Sequence, residues 1–218
     1  MLEIISVETD NELPDETISI LSGFVSPETK NKAARYRHKQ NAVNTLIGEI
    51  ITRKAIFERT GLSKEKIVIL SDKCGKPYLA NIPGLHFNIS HSGDLVVCAV
   101  DEEPIGVDIE LIRAAKQGIA KRFFSNDEYE FVMSDPDKNS AAFYKIWTMK
   151  ESYAKWKGGG LSMSLNSFSV LEIEKQGSLF FHHIDVRADA CCYVCTTSGG
   201  IGSHRHFKPG EFLAHLEK

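Results

Sequence analysis

The sequence predicts an α+β fold made of two similar lobes. Two observations predict it. A helical stretch followed by short β-prone runs occupies roughly residues 26–110, and the same succession returns over roughly 125–197. The length of 218 residues suits two small domains of about 100 residues each. With 42% hydrophobic and 25% charged residues, the composition is that of a globular chain.

The elements follow in chain order. Residues 2–7 form a short strand. Ser26, Pro27 and Glu28 give an N-cap with proline at the first helical position, opening a polar, basic segment that runs to about Arg59. Within it Ala42, Leu46 and Ile50, and Ile47, Ile51 and Ala55, recur at helical spacing, so one face is core, and Gly61 ends the run. A strand is expected over 66–70, a turn over 74–77, and an apolar-polar alternation over 87–90. The run 95–100 is strongly β-prone, and Gly93-Asp94 before it marks a hairpin. Glu103-Pro104 breaks the chain ahead of a strand over 105–110.

In the second half Ser125 and Glu128 make a capping box. A helix is expected over 139–157, stopped by Gly158, Gly159 and Gly160. Three β-prone runs follow at 167–173, 179–186 and 191–197. The last twenty residues are polar and expected to be loosely held. The expected lobes are 1–103 and 104–218.

Composition also excludes. The net charge of −3 gives no general case for nucleic acid. Charge is nevertheless segregated. Ten lysines and arginines against four glutamates lie between Glu28 and Lys66, and five acids without a base lie between Asp101 and Glu110. A solvated helix face and an acidic turn explain such runs; an anionic ligand and a cation explain them as well. The first ten residues carry acids and no long apolar core, unlike a signal peptide. No run approaches the ~18 apolar residues of a membrane span. Five irregularly spaced cysteines point to reduced thiols and a cytoplasmic protein. Cys191, Cys192 and Cys195 belong to a β-prone run, so they read as core residues and not as a zinc site. Gly160, Leu161 and Ser162 lack the ending of a phosphate-binding P-loop.

Three constellations can carry chemistry. Asp108 and Glu110 alternate on one strand and share a face. Two hard oxygen ligands so placed suit Mg²⁺, although Asp-x-Glu alone is also an ordinary polar edge. On the helix, Trp147, Glu151 and Lys155 fall within about 80° of one another. Glu151 can add a third carboxylate and Lys155 can meet a phosphate, or the two make a plain i,i+4 pair. Asn88 to Gly93 offers hydroxyls, an imidazole and turn amides, a cradle for an oxyanion or phosphate. A Ser90–His91 nucleophile fits less well, since adjacent strand residues point apart and no acid completes a triad.

Taken together, IGVDIE (105–110) and WTMKESYAK (147–155), about forty residues apart, resemble the two signature motifs of the 4'-phosphopantetheinyl transferases. FNISHSG (87–93), GKP (75–77), AKRFFS (120–125), SPE (26–28), RYRHK (35–39) and Gly48-Glu49 resemble the larger, surfactin-synthetase-activating type. The resemblance covers roughly residues 20–175 in ordered blocks.

That resemblance implies two α+β lobes with pseudo-twofold symmetry, each a small, largely antiparallel sheet packed with a long helix, and coenzyme A in the cleft. The first lobe would contact the nucleotide; the second would carry the metal and catalytic residues. Asp108, Glu110 and Glu151 would hold Mg²⁺, with Mn²⁺ as the alternative ion. Glu151 would be the base, directly or through a metal-bound water, and Lys155 would stabilise the pyrophosphate. Lys32, Lys39 and His91 would grip the nucleotide, with Thr45, Lys76, Pro77 and Ser90 lining its base or phosphates. Thr29 and Asn44 depart from basic residues found in some relatives, which alters the grip. Glu128 falls where the family often has an acid near the site, and the capping box explains it without catalysis. The activity implied is transfer of phosphopantetheine from coenzyme A to a serine of acyl or peptidyl carrier proteins, releasing 3',5'-ADP. The chain should act as a monomer, because smaller relatives build the same cleft between subunits. Peptide, polyketide and fatty-acid carriers remain equal candidates as acceptor. Rival readings are another metal-dependent phosphotransferase or nuclease, and a non-catalytic binder of coenzyme A or carrier proteins.

Overall fold

The computed structural model describes residues 1–9, 13–115, 117–159, 163–208 and 210–216. In chain order the first part runs β1 (Leu2–Glu8), α1 (Asp15–Ser22), α2 (Pro27–Ala33), α3 (Lys39–Thr60), β2 (Ile69–Ser71), β3 (Pro77–Leu79), β4 (His86–Ser92) and β5 (Leu95–Asp101). The second runs β6 (Ile105–Leu111), α4 (Gln117–Phe123), α5 (Asn126–Met133), α6 (Asn139–Lys157), α7 (Val170–Gln176), β7 (Phe180–His183), β8 (Ala190–Thr196), β9 (Ile201–Phe207) and α8 (Glu211–Leu216).

The two lobes share a plan. In the first, β1 pairs antiparallel with β5, and β5 with β4. In the second, β6 pairs antiparallel with β8, and β8 with β7. Each is therefore a strand, a long helix and a hairpin whose last strand returns to the first. Period-two alternation explains how the layers stack. Val96, Cys98 and Val100 of β5 pack with Leu46, Ile50 and Ile51 of α3. Leu95, Val97 and Ala99 pack with Val107, Ile109 and Val194 of the other sheet. On the far side of that sheet Tyr193 and Cys195 pack with Tyr144, Ile146 and Met149 of α6. Every residue of β5 is buried, which accounts for its unbroken apolar run.

Several expected elements differ. The basic run from Ser26 is two helices. Ser26 caps α2 by accepting from the Thr29 N–H, but residues 34–38 are all exposed and leave a helix no face to bury before α3 begins. The strand expected over 66–70 starts only at Ile69, after a 3₁₀ turn. The β-prone run 167–173 is a 3₁₀ turn followed by α7. Ser169 caps that helix on the Glu172 N–H, and Val170 is buried in the second core. A good cap and a helical apolar face here outweigh β-propensity.

Among the described residues near the end of the chain, the expected looseness is not found: Ile201–Phe207 and Glu211–Leu216 are a strand and a helix. β9 lies parallel to β1 in the first sheet, and Phe212 of α8 is buried. The Ser6 hydroxyl bridges His204 Nε2 (2.8 Å) and His206 Nδ1 (2.9 Å), tying the strand in place. Gly158 stops α6 at φ 74°, while Gly160 to Ser162 lie outside the described residues. Among the described residues no helix is long and apolar enough to cross a membrane.

Candidate active site

β4 and β6 are edge strands of different sheets, and they meet through side chains. The N–H groups of Val107, Ile109 and Leu111 donate to Asn88 Oδ1 (2.8 Å), Ser90 Oγ (3.4 Å) and Ser92 Oγ (3.1 Å). Alternate N–H groups of β6 thus face β4 while the intervening residues pair with β8. This seam sets Asp108 and Glu110 beside Ser90 and Ser92. The Ser90 hydroxyl donates to Asp108 Oδ1 (2.9 Å), and Ser92 donates to Glu110 Oε2 (2.8 Å).

Over β6 lies α6, brought close by Gly106. A Cβ there would overlap the Ser152 carbonyl and the Trp156 amide, both backbone atoms of the helix. The close approach lets Lys155 reach down to the strand. Its ammonium donates to Asp108 Oδ1 (2.6 Å), Ser90 Oγ (2.9 Å) and the Val107 carbonyl (3.0 Å). Asp108 is 5% exposed, and its Oδ2 is buried without a hydrogen-bond partner. An orphaned buried carboxylate oxygen is costly, and a cation would satisfy it.

The other two acids are electrostatically crowded. Glu151 has its pKa raised, first by burial and then by Asp108, with Lys155 opposing and Glu110 adding to the rise. Glu110 is raised by burial and by Asp108, against hydrogen bonds from Ser92 and the Trp147 indole. Three carboxylates that repel one another, one with a free buried oxygen, form a donor set suited to a hard divalent cation. Among the described residues, however, no three His, Cys, Asp or Glu side chains already stand as a metal cage. Asp108 and Glu110 are turned instead to Lys155, Ser90 and Ser92.

His91, next to Ser90 on β4, is exposed. Its pKa is lowered by partial burial and then by the Lys155 and Lys32 ammoniums, against Asp108. Those charges link Lys32 of α2 to the same corner as Lys155. Lys39 is different: it begins α3, is 69% exposed, and pairs with Asp15 at 2.6 Å. Thr45 is half-buried on α3, and Pro77 starts β3. Lys76 directs its ammonium to the carbonyls of Ile105, Lys155 and Trp156. Asn44 donates to the Gly93 carbonyl (2.8 Å), bracing the β4–β5 turn. Thr29 and Arg53 hydrogen-bond Glu49, which also accepts from Ser26.

The sequence that builds this fold matches known families. The family model of the 4'-phosphopantetheinyl transferase superfamily matches residues 104–205, and that of the 4'-phosphopantetheinyl transferase N-terminal region matches 14–103. The 4'-phosphopantetheinyl transferase Sfp of Bacillus subtilis (strain 168) is 39% identical over 196 residues, 89% of this chain and 86% of the relative. The chain belongs to the 4'-phosphopantetheinyl transferase family. The 4'-phosphopantetheinyl transferase ffp of Bacillus subtilis is 43% identical over 78% of this chain and 76% of its own. The 4'-phosphopantetheinyl transferase gsp of Aneurinibacillus migulanus is 34% identical over 83% and 76%.

Sequence reasoning about this phosphopantetheinyl transferase placed Ser92, Trp147 and Lys150 within its motifs but gave none of them a partner. Ser92 supports Glu110, and the alternation of Asn88, Ser90 and Ser92 was the available signal. The Trp147 indole reaches Glu110. Lys150, inside the second motif, is 0% exposed and pairs with Glu128 (2.6 Å), which also accepts from Ser125 and Val170. Glu128 thus completes the capping box and a buried ion pair.

Proposed function

We propose that the chain transfers the 4'-phosphopantetheine of coenzyme A to a serine hydroxyl of acyl or peptidyl carrier proteins, releasing 3',5'-ADP. One observation carries the reading beyond family membership. Lys155, Ser90 and the half-orphaned Asp108 share hydrogen bonds beside two crowded glutamates, which is a site built for phosphate and a cation together.

Asp108, Glu110 and Glu151 would hold Mg²⁺, with Mn²⁺ as the alternative ion. When bound, the ion supplies neutralisation of phosphoryl charge and orientation of the leaving phosphate. Lys155 binds the pyrophosphate and can give a proton to the departing oxygen. Glu151, directly or through a bound water, is the base for the carrier serine. The serine oxygen bonds to the β-phosphorus as the bond to 3',5'-ADP breaks, and the serine proton passes to Glu151. Lys32 and His91 grip the anionic nucleotide, with Lys39 at the start of α3. Thr45, Ser90, Pro77 and the turn bearing Lys76 line its base or phosphates. Positioning and charge stabilisation supply most of the acceleration, as in other phosphoryl transfers. The protein works as a cytoplasmic monomer, both lobes of the cleft coming from one chain.

Intact-mass spectrometry tests this. An apo carrier protein incubated with coenzyme A, Mg²⁺ and the protein gains one phosphopantetheine, and EDTA abolishes the gain. Glu151→Gln and Asp108→Ala remove transfer while circular dichroism stays unchanged. Absence of mass gain on peptidyl, polyketide and fatty-acid carriers, with coenzyme A still bound, would leave a binding protein.

A further inference from the structure

The β2–β3 turn fixes the backbone of Lys76. Asp72 Oδ1 accepts from the N–H groups of Cys74 (2.8 Å) and Lys76 (2.9 Å), and the Asp72 N–H donates to the Lys76 carbonyl (2.9 Å). From this anchored position the side chain crosses to the other lobe. Its ammonium donates to the Lys155 carbonyl, to the Ile105 carbonyl (3.2 Å) and to the Trp156 carbonyl (3.4 Å).

Two of those acceptors lie in the last turn of α6, where carbonyls have no partner within the helix. The Gly158 N–H takes the Ala154 carbonyl (3.1 Å), and Lys76 takes the next two. A cation at a helix C-terminus is also favoured by the helix dipole. The third acceptor, Ile105, opens the strand that carries Asp108 and Glu110. An ammonium has three protons, and three carbonyls engage all of them. None is left for a phosphate. Burial lowers the pKa of the lysine, in keeping with a group turned away from water.

We propose that Lys76 is a positioning residue whose ammonium docks the end of α6 and the start of β6 onto the β2–β3 hairpin, and so sets Lys155 and Asp108 relative to the first lobe. The inference rests on the transferase reading and refines it: the hairpin backbone serves the nucleotide, while the Lys76 side chain acts through Lys155.

Lys76→Met and Lys76→Arg test it in steady-state transfer with coenzyme A varied at saturating apo carrier protein. Lys76→Met lowers kcat by about 10- to 100-fold, the usual effect of a small misplacement. Its KM for coenzyme A stays within about twofold of wild type. Lys76→Arg, which keeps donors for the carbonyls, regains most of the loss. A raised KM with unchanged kcat in either variant would make Lys76 a direct nucleotide contact and overturn the proposal. Hydrogen exchange on the free proteins gives a readout that needs no turnover. Amides of residues 154–158 exchange faster in Lys76→Met and keep their protection in Lys76→Arg; unchanged exchange in Lys76→Met also overturns it. If the wild-type protein transfers nothing, the transferase reading fails, and the exchange result still decides whether the latch exists.

Discussion

Lys150→Met removes the cation from a pair in which both side chains are 0% exposed. Methionine keeps much of the length and apolar volume, so the loss is electrostatic more than steric. Glu128 Oε2 retains the Ser125 N–H (2.8 Å) and Oε1 the Val170 N–H (2.7 Å), but the carboxylate loses its counter-charge at 2.6 Å. The Phe168 carbonyl loses its donor at 2.7 Å, and the Phe168 ring loses an ammonium 4.2 Å from its centroid. Breaking one side of a buried pair costs about 3–5 kcal/mol. Against a total stability of about 5–15 kcal/mol, that is a large fraction. Urea unfolding followed by the fluorescence of Trp147 and Trp156 reads it as a lower midpoint at constant slope. The double variant Lys150→Met, Glu128→Leu should be more stable than Lys150→Met alone, because no buried charge remains, although the cap on α5 is lost. A single-variant cost below about 1 kcal/mol, the range of an exposed pair, would refute the reasoning. A double variant weaker than the single would refute it too.

Gly106→Ala forces α6 away from β6; it costs about 1–3 kcal/mol of stability, and by displacing Lys155 from Asp108 it slows carrier loading about 100-fold. Thermal melting and the mass assay check both, and wild-type turnover would mean that the approach of α6 does not set the Lys155 position. The Ser6 clasp predicts a pH dependence. Burial lowers the pKa of His204, with His206 lowering it further and Asp185 opposing. Burial also lowers that of His206, amid Glu8, Lys208, Glu211 and Arg187. The folded state therefore binds fewer protons than the unfolded one, so this contribution is whole above the ordinary histidine range near 6.5 and is lost as pH falls through the lowered values. Glu110 and Glu151, raised by burial, act in the opposite direction, so the comparison is between wild type and His204→Gln/His206→Gln. The wild type should lose more stability than the variant between pH 7 and pH 5, and identical profiles would exclude the clasp as the cause.

What was legible in the sequence was local. Helix α6 keeps its expected bounds because Gly158 and the apolar spacing both speak within a few residues. The Ser125–Glu128 box and the alternation of Asp108 and Glu110 are local in the same way. The Ser92–Glu110 bond joins residues on the edges of two different sheets, and no spacing within either strand announces that those edges meet. Lys150 looked like a polar member of a motif because its burial depends on Phe168 and Glu128, both distant along the chain. α7 was mistaken for a strand since Leu171 and Ile173 alternate at the strand period, whereas Val170 and Ile173 stand at helical spacing behind the Ser169 cap. β9 was overlooked because its partner β1 lies about two hundred residues earlier, beyond any window in which periodicity operates.

The side-chain seam between β4 and β6 also bears on solubility. A strand at the rim of a sheet displays a row of unused N–H groups that invites pairing with another molecule, and such edges are sites of aggregation. Here each rim shields the other, and the donors of β6 are already taken by Asn88, Ser90 and Ser92. If the lobes parted, the strand bearing Asp108 and Glu110 would become a sticky template; the face that gathers these carboxylates and the protected edge of this molecule are one surface.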